Sequence, residues 1–177
     1  DILGFPLTHT NNGWLNLSYG DYVDAGSSTV FDARLYTIET WFKMENEQVD
    51  DYPSFYINGN WNMTFGINQN ANPQTLESWI NNSNNEDNDT GLTVGTWYHA
   101  VLVDNGTNRI FYLNGEEDGD SGTSVAMTTH TKVYLGGNPV QGNSYFIGAL
   151  DEVKVYNRAL EPEEVTKNYN HGKSKHS

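Results

Sequence analysis

The sequence has no cysteine, which removes three chemistries at once: a disulfide framework, a thiolate zinc site and a cysteine nucleophile. It is also short of cations. Nine Lys and Arg stand against 23 Asp and Glu, giving a formal charge of −14 at pH 7 and a sequence pI near 4.4. A nucleic-acid partner needs the opposite sign, because Lys and Arg carry the binding of phosphate backbones. Anionic lipid surfaces are repelled by the same field, whereas divalent cations are attracted. No apolar run approaches the ~20 residues of a membrane-crossing helix, and no basic-then-apolar leader opens the chain. We therefore expect a soluble, mature or excised segment with no direct membrane insertion.

What is abundant is Asn, at 23 residues, together with 17 Gly. Both favour turns and depress helix. Aromatic residues make up 13 % of the 177, and most sit in short alternating or β-branched runs separated by Gly, Asn and Asp. This length and pattern predict one domain over residues 1–170, an all-β, two-sheet antiparallel sandwich. Candidate strands are 14–18, 22–24, 35–44, 54–57, 61–68, 75–80, 97–104, 109–113, 132–135 and 146–156.

Period 2 in the run from Thr37 to Met44 points Ile38, Thr40, Phe42 and Met44 to a core and Glu39, Trp41 and Lys43 away from it. The run from Tyr98 to Val103 is apolar on both faces, which predicts a strand covered on both sides. Asn114-Gly115 is the strongest hairpin signal in the chain. Only one stretch looks helical. Pro162 suits a first helical position, Glu163 and Glu164 suit the positive end of the dipole, and Lys167 suits the other end. Leu160, Val165 and Tyr169 could dock this one short C-terminal helix. Residues 171–177 carry no apolar side chain and are expected to form a flexible tail.

Four stretches together resemble the laminin-G-like, concanavalin A-like jelly-roll modules common in bacterial, archaeal and viral extracellular proteins. They are Tyr22-Val-Asp-Ala-Gly26; Tyr36-Thr-Ile-Glu-Thr-Trp-Phe-Lys43; Gly95-Thr-Trp-Tyr-His-Ala-Val-Leu-Val-Asp104 with Phe111-Tyr-Leu-Asn-Gly115; and Gly148-Ala-Leu-Asp-Glu-Val-Lys-Val-Tyr-Asn-Arg-Ala-Leu160. The resemblance covers the chain from about Trp14 to Tyr169. It implies a jelly roll whose concave sheet and rim loops often bind carbohydrate, frequently with a structural calcium ion. It does not imply one activity, since the fold also hosts hydrolases and lyases.

Calcium needs about six to eight oxygen ligands. The resemblance nominates Asp151 with the Gly20 carbonyl and Asp21; the bland alternative is that Asp151 caps or pairs with a cation. Two further acidic runs, 85–91 and 116–120, lack the spacing of an EF-hand loop and read as solvated turns.

Sugar recognition needs an aromatic face for the apolar side of a pyranose and planar polar groups for its hydroxyls. Tyr56, Asn58, Asn60 and Trp61 cluster within one short run, and Trp79 with Asn81 in another. Trp61 and Trp79 are each open to two readings, platform or packing. Tyr52 is a further rim candidate, while Trp41 and Trp97 lie in the family-like motifs and read as core.

A catalytic constellation is missing from the pattern. No Glu-x-Asp-x-Glu run puts carboxylates side by side on one strand, as retaining glycosidases on this fold require. His99 with Tyr98 or Tyr112 could be written as a lyase pair, but a structural His is the simpler reading. The sequence is thus read as a non-catalytic, calcium-stabilised carbohydrate-binding adhesion module of a larger extracellular, cell-surface, secreted or virion-surface protein, with a glycan or polysaccharide as partner. The rivals are a structural domain that binds a surface protein and, behind it, a polysaccharide hydrolase or lyase.

Overall fold

Short β-branched and aromatic runs punctuated by Gly and Asn fold, among the described residues, into fourteen strands and one helix. The computed structural model describes residues 2–4, 13–27, 34–50, 52–59, 63–80, 84–119, 122–124 and 132–177. The strands are β1 (Ile2–Gly4), β2 (Leu15–Leu17), β3 (Val23–Asp24), β4 (Tyr36–Met44), β5 (Ser54–Asn58), β6 (Met63–Asn68) and β7 (Thr75–Ile80). They continue with β8 (Asn84–Asp87), β9 (Trp97–Asp104), β10 (Asn108–Leu113), β11 (Glu116–Glu117), β12 (Gly122–Thr123), β13 (Val133–Leu135) and β14 (Gly148–Tyr156), and the helix α1 spans Pro162–Gly172. One sheet runs β1-β14-β4-β9-β10-β11, with β2 also on β14 and β12 also on β10; the other runs β3-β13-β5-β6-β7-β8. Every pairing among the described residues is antiparallel, as the jelly-roll reading requires.

The core lies between the sheets. Ile38, Phe42 and Met44 of β4 and Ala100 and Leu102 of β9 meet Phe55, Met63, Phe65, Leu76 and Leu135 of the second sheet. The period-2 reading of β4 holds. The double-sided apolar run of β9 is explained as well: Val101 and Val103 face outward into a second cluster with Tyr112, Tyr156, Leu160 and Val165, where α1 docks. Asn114 and Gly115 both have positive φ, at 54° and 86°, and connect β10 to β11 as the hairpin signal predicts.

The helix begins where Pro162 predicts. Glu164 accepts the Glu161 N–H at 3.0 Å and takes both Nη groups of Arg158, at 2.6 and 2.7 Å. Thr166 Oγ1 donates to the Gly115 carbonyl at 2.9 Å, tying the helix to the hairpin tip.

The chain after α1 corrects the expectation of a flexible tail. His176 is 5 % exposed; its Nε2 lies 2.9 Å from Asp151 Oδ2 and its ring stacks on Trp41 at 4.3 Å. A segment without apolar side chains is held by an ionic and a stacking contact, which composition does not reveal.

Candidate functional site

The two outer faces of the sandwich carry different chemistry. On the first sheet, antiparallel register sets Glu39, Trp41, His99 and Asp151 on one outer surface, with Trp41 opposite both His99 and Asp151. A β-bulge between Asp151 and Lys154, with Glu152 at φ 49°, lets both of those side chains reach this same surface. Glu39 is fully buried there beneath α1. Its Oε1 accepts from Lys154 Nζ at 2.7 Å and lies 3.3 Å from His99 Nε2, while Oε2 accepts from Asn168 Nδ2 at 2.8 Å and Tyr156 Oη at 3.1 Å. Burial works to raise the Glu39 carboxyl, but His99 and Lys154 outweigh it and hold it at about 2. Burial and the neighbouring Glu39 push the Tyr156 hydroxyl upward.

This constellation has the residue types of an active site and the geometry of a clamp. Glu39 and His99 both have no exposed side-chain surface, and the acceptors of Glu39 are spent on neighbours within the sheet and on Asn168, which ties α1 to it. The reading of His99 as structural agrees with its complete burial.

On the second sheet, Val133 and Leu135 point inward, so Tyr134 faces out; Leu76 and Ile80 point inward, so Thr75, Glu77 and Trp79 face out. Trp79 is half-buried and its ring packs on Tyr52 at 4.3 Å. Tyr52 reaches it because the Pro53–Ser54 backbone crosses directly over Gly66: a Cβ there would sit 2.0 Å from the Pro53 oxygen. At the other edge, Tyr22 packs edge-on against Tyr134 at 5.9 Å and Tyr19 against Tyr145 at 5.2 Å. Tyr19 and Tyr22 are 64 % and 45 % exposed, and Lys132 pairs with Asp24 beside them.

None of these tyrosines is a sugar-binding candidate in the sequence; Tyr22 opens a family-like motif, and Tyr134 alternates with the inward Val133 and Leu135.

Of the residues expected to bind sugar, Trp79 is on this outer face and Tyr56 and Asn58 are not. A bulge between Ser54 and Tyr56 shifts the parity of β5, so Phe55 and Tyr56 both enter the core and Asn58, opposite Met63 and Val133, follows on the inner side. Tyr56 and Asn58 are fully buried and cannot touch a ligand outside. Asn60, Trp61 and Asn81 lie outside the described residues; the strand ends they connect, at Asn58, Met63, Ile80 and Asn84, are in register at one end of the second sheet.

The residues nominated for calcium do not form one site. The Asp151 carboxylate already takes Lys175 Nζ at 2.7 Å, His176 Nε2 at 2.9 Å and the Glu152 N–H at 2.8 Å, and an ammonium in contact disfavours a divalent cation. Asp21 instead caps its own turn by accepting the Ser18 N–H at 2.9 Å. The register of β2 on β14, Leu17 opposite Gly148 and Leu15 opposite Leu150, carries the chain away from Asp151 as it approaches Gly20 and Asp21. Among the described residues no group of three or more His, Asp or Glu side chains is placed to hold a metal ion. The two acidic turns meet each other: Asn88 Nδ2 donates to Asp118 Oδ2, and Thr90 Oγ1 to Asp118 Oδ1 at 2.9 Å. No helix is long and apolar enough to cross a membrane among these residues.

This architecture has parallels. The CBM40 of the Ruminococcus gnavus IT-sialidase, bound to α2,3-sialyllactose, superposes with a TM-score of 0.69 at 18 % identity, over 88 % of this chain and 96 % of that one. Domain 4 of AbnA, an extracellular arabinanase from Geobacillus stearothermophilus in complex with arabinotriose, gives 0.57 at 24 %, over 77 % and 66 %. Trypanosoma rangeli sialidase in complex with the inhibitor DANA gives 0.66 at 14 %, over 86 % of this chain, which spans only 26 % of that enzyme. At such identities the likeness is one of fold. No curated protein sequence matches significantly. The laminin G type 3 profile, however, matches residues 17–166, the whole run from β2 into α1. Together with the two antiparallel sheets, that match means that the chain belongs to the concanavalin A-like lectin/glucanases superfamily.

Proposed function

We propose that this domain is a non-catalytic carbohydrate-binding module and that its ligand surface is the outer face of the second sheet. The observation that carries the reading is the Tyr52–Trp79 pair, two aromatic rings half-buried on the face not covered by α1. Half-buried rings of this kind give a sugar its apolar stacking surface, while Gln69, whose Oε1 accepts the Tyr52 N–H at 3.3 Å, is a planar polar group suited to hydroxyls, and the hydrogen-bonded Asn68 and Asp87 lie farther along the same sheet. The sugar-bound states of the Ruminococcus gnavus CBM40 and of domain 4 of AbnA support a glycan partner for this fold. A secreted or surface location goes with such a partner, as in the extracellular arabinanase.

The non-catalytic part of the reading is supported by the burial of Glu39 and His99, the acid and the imidazole best suited to proton transfer, under α1. The test is a glycan array and calorimetry on the whole chain, followed by Trp79→Ala and Tyr52→Ala. Loss of glycan binding in either variant with the melting midpoint kept supports the reading; undiminished binding in both, or turnover of a bound polysaccharide, overturns it.

A further inference from the structure

A second aromatic recess lies on the opposite face, where α1 runs out. A pocket of about 410 Å³ opens between Trp97, Tyr169, Trp41, Asn114, Lys173 and His176. That volume is in the range of small-ligand sites and accommodates one sugar ring. Its rings come from three places: Trp41 from β4, Trp97 from the start of β9, and Tyr169 from α1. Trp41 is only 2 % exposed and forms the floor, its ring stacked by His176 at 4.3 Å and Tyr169 at 5.7 Å.

Electrostatics set this recess apart from the rest of the molecule. No Asp or Glu side chain lines it, in a chain that carries 23. One cation lines it instead, Lys173, whose Nζ lies 5.3 Å from the Tyr169 ring centroid; a second, Lys43, lies in the adjoining recess with its Nζ 5.3 Å from the Trp97 ring centroid and 5.6 Å from that of Trp14. Among the described residues, Lys132, Lys154, Arg158 and Lys175 are each paired with a carboxylate, whereas Lys43 and Lys173 are not. An unpaired ammonium in the lining, with no Asp or Glu side chain beside it, favours an anionic group here in a protein of charge −14.

We propose that this pocket is a second ligand site and that it takes a carboxylate-bearing pyranose, a uronic or sialic acid unit. The proposal rests on the carbohydrate reading above but uses none of the residues of the second sheet. The sugar ring lies against Trp97 and Tyr169, its carboxylate is met by Lys173 through a charge-assisted contact, with Lys43 a more distant positive charge behind Trp97, and the Asn114 amide offers donors to a hydroxyl. The Asn114 Oδ1 is already used by the His99 N–H at 3.0 Å, which fixes the orientation of that amide.

The test is calorimetric titration of the whole chain with methyl glucuronide, N-acetylneuraminic acid and, as the uncharged counterpart, methyl glucoside. The same titrations are run on a Lys43→Glu/Lys173→Glu double variant and on Trp79→Ala. An acidic sugar should bind more tightly than methyl glucoside, weaken about tenfold or more in the double variant, and be unaffected by Trp79→Ala, with the melting midpoint unchanged in each. Acidic-sugar binding that survives the double charge reversal, or that is lost in Trp79→Ala, overturns the second site and leaves the carbohydrate reading intact. Neutral glycans binding at Trp79 while neither acidic sugar binds does the same. No glycan of any charge binding at either face overturns both.

Discussion

His176 closes over Asp151: the imidazole Nε2 lies 2.9 Å from Oδ2 while the ring lies parallel to Trp41, 4.3 Å away and tilted by 8°. The carboxylate is 2 % exposed, and burial alone would raise its pKa. Lys175, His176 and the Glu152 N–H outweigh that and hold it below the ordinary carboxylate range. The last residues of the chain are therefore part of the folded unit.

Removing residues 173–177 should destabilise the domain. The deletion uncovers the Trp41 ring and leaves the Asp151 carboxylate with only the Glu152 N–H as donor. Lost apolar burial and two lost charge-assisted contacts amount to about 2–4 kcal/mol. A chemical-denaturation midpoint that falls, with tryptophan emission shifting to the red, is the expected result; an unchanged midpoint would show that the segment contributes nothing.

Calcium should not act through Asp151. With an ammonium 2.7 Å from Oδ2 and the other nominated ligands at a different end of β2, the carboxylate has no place for the ion. Asp151→Asn should lower the melting midpoint by the same amount in EDTA and in millimolar calcium. A calcium-dependent rise in the parent chain that vanishes in Asp151→Asn would refute the assignment of Asp151 to a structural ion pair.

Glu39 should govern part of the acid limb of stability. Its ordinary value is 4.5 and its folded value about 2, so the folded state favours the ionised form. The contribution is fully present above about pH 4.5 and lost as pH falls toward 2, on the order of 3 kcal/mol by linkage. Glu39→Gln should be destabilised by a comparable amount at pH 7, because Lys154 and His99 lose their anion. The stability gap between the two proteins should narrow from pH 4.5 to 2; a gap constant over that range would mean that Glu39 is not ionised in the fold.

The parts of this fold that the sequence discloses are those governed by local repetition. Alternation assigns the faces of β4, Asn114-Gly115 marks a hairpin, and Pro162 marks the first turn of α1, since each rule involves only near neighbours. The two β-bulges are where that legibility fails. One extra residue before Tyr56 reverses the parity of β5 and takes Tyr56 and Asn58 inside; another after Asp151 turns Lys154 to the face of Glu39. Trp79 is ambiguous in the sequence for a related reason. The inward row of β7 contains Ser78, which accepts from Arg109 Nη1 at 2.9 Å across the core, so neither row of that strand is purely apolar. The burial of His176 depends on a partner 135 positions away in the chain, Trp41, and no window of sequence contains both.

Gly66 should be the most sensitive glycine of the proposed sugar face. A Cβ at that position would meet the Pro53 oxygen at 2.0 Å and the Ser54 Cα at 2.6 Å, both backbone atoms that cannot move aside by changing rotamer. The Pro53 carbonyl is also fixed by the Ile67 N–H at 2.8 Å, so the crossing segment must shift as a unit and carry Tyr52 off Trp79. Gly66→Ala should therefore cost about 2–3 kcal/mol or more and weaken glycan binding together. Gly142→Ala is the control: its Cβ would meet nothing within 4 Å, and only a φ of 72° opposes it, a cost of about 1 kcal/mol. Equal destabilisation of the two variants would mean that the Pro53–Ser54 crossing is loose, and the Tyr52–Trp79 pair would then lose its claim to be a preformed surface.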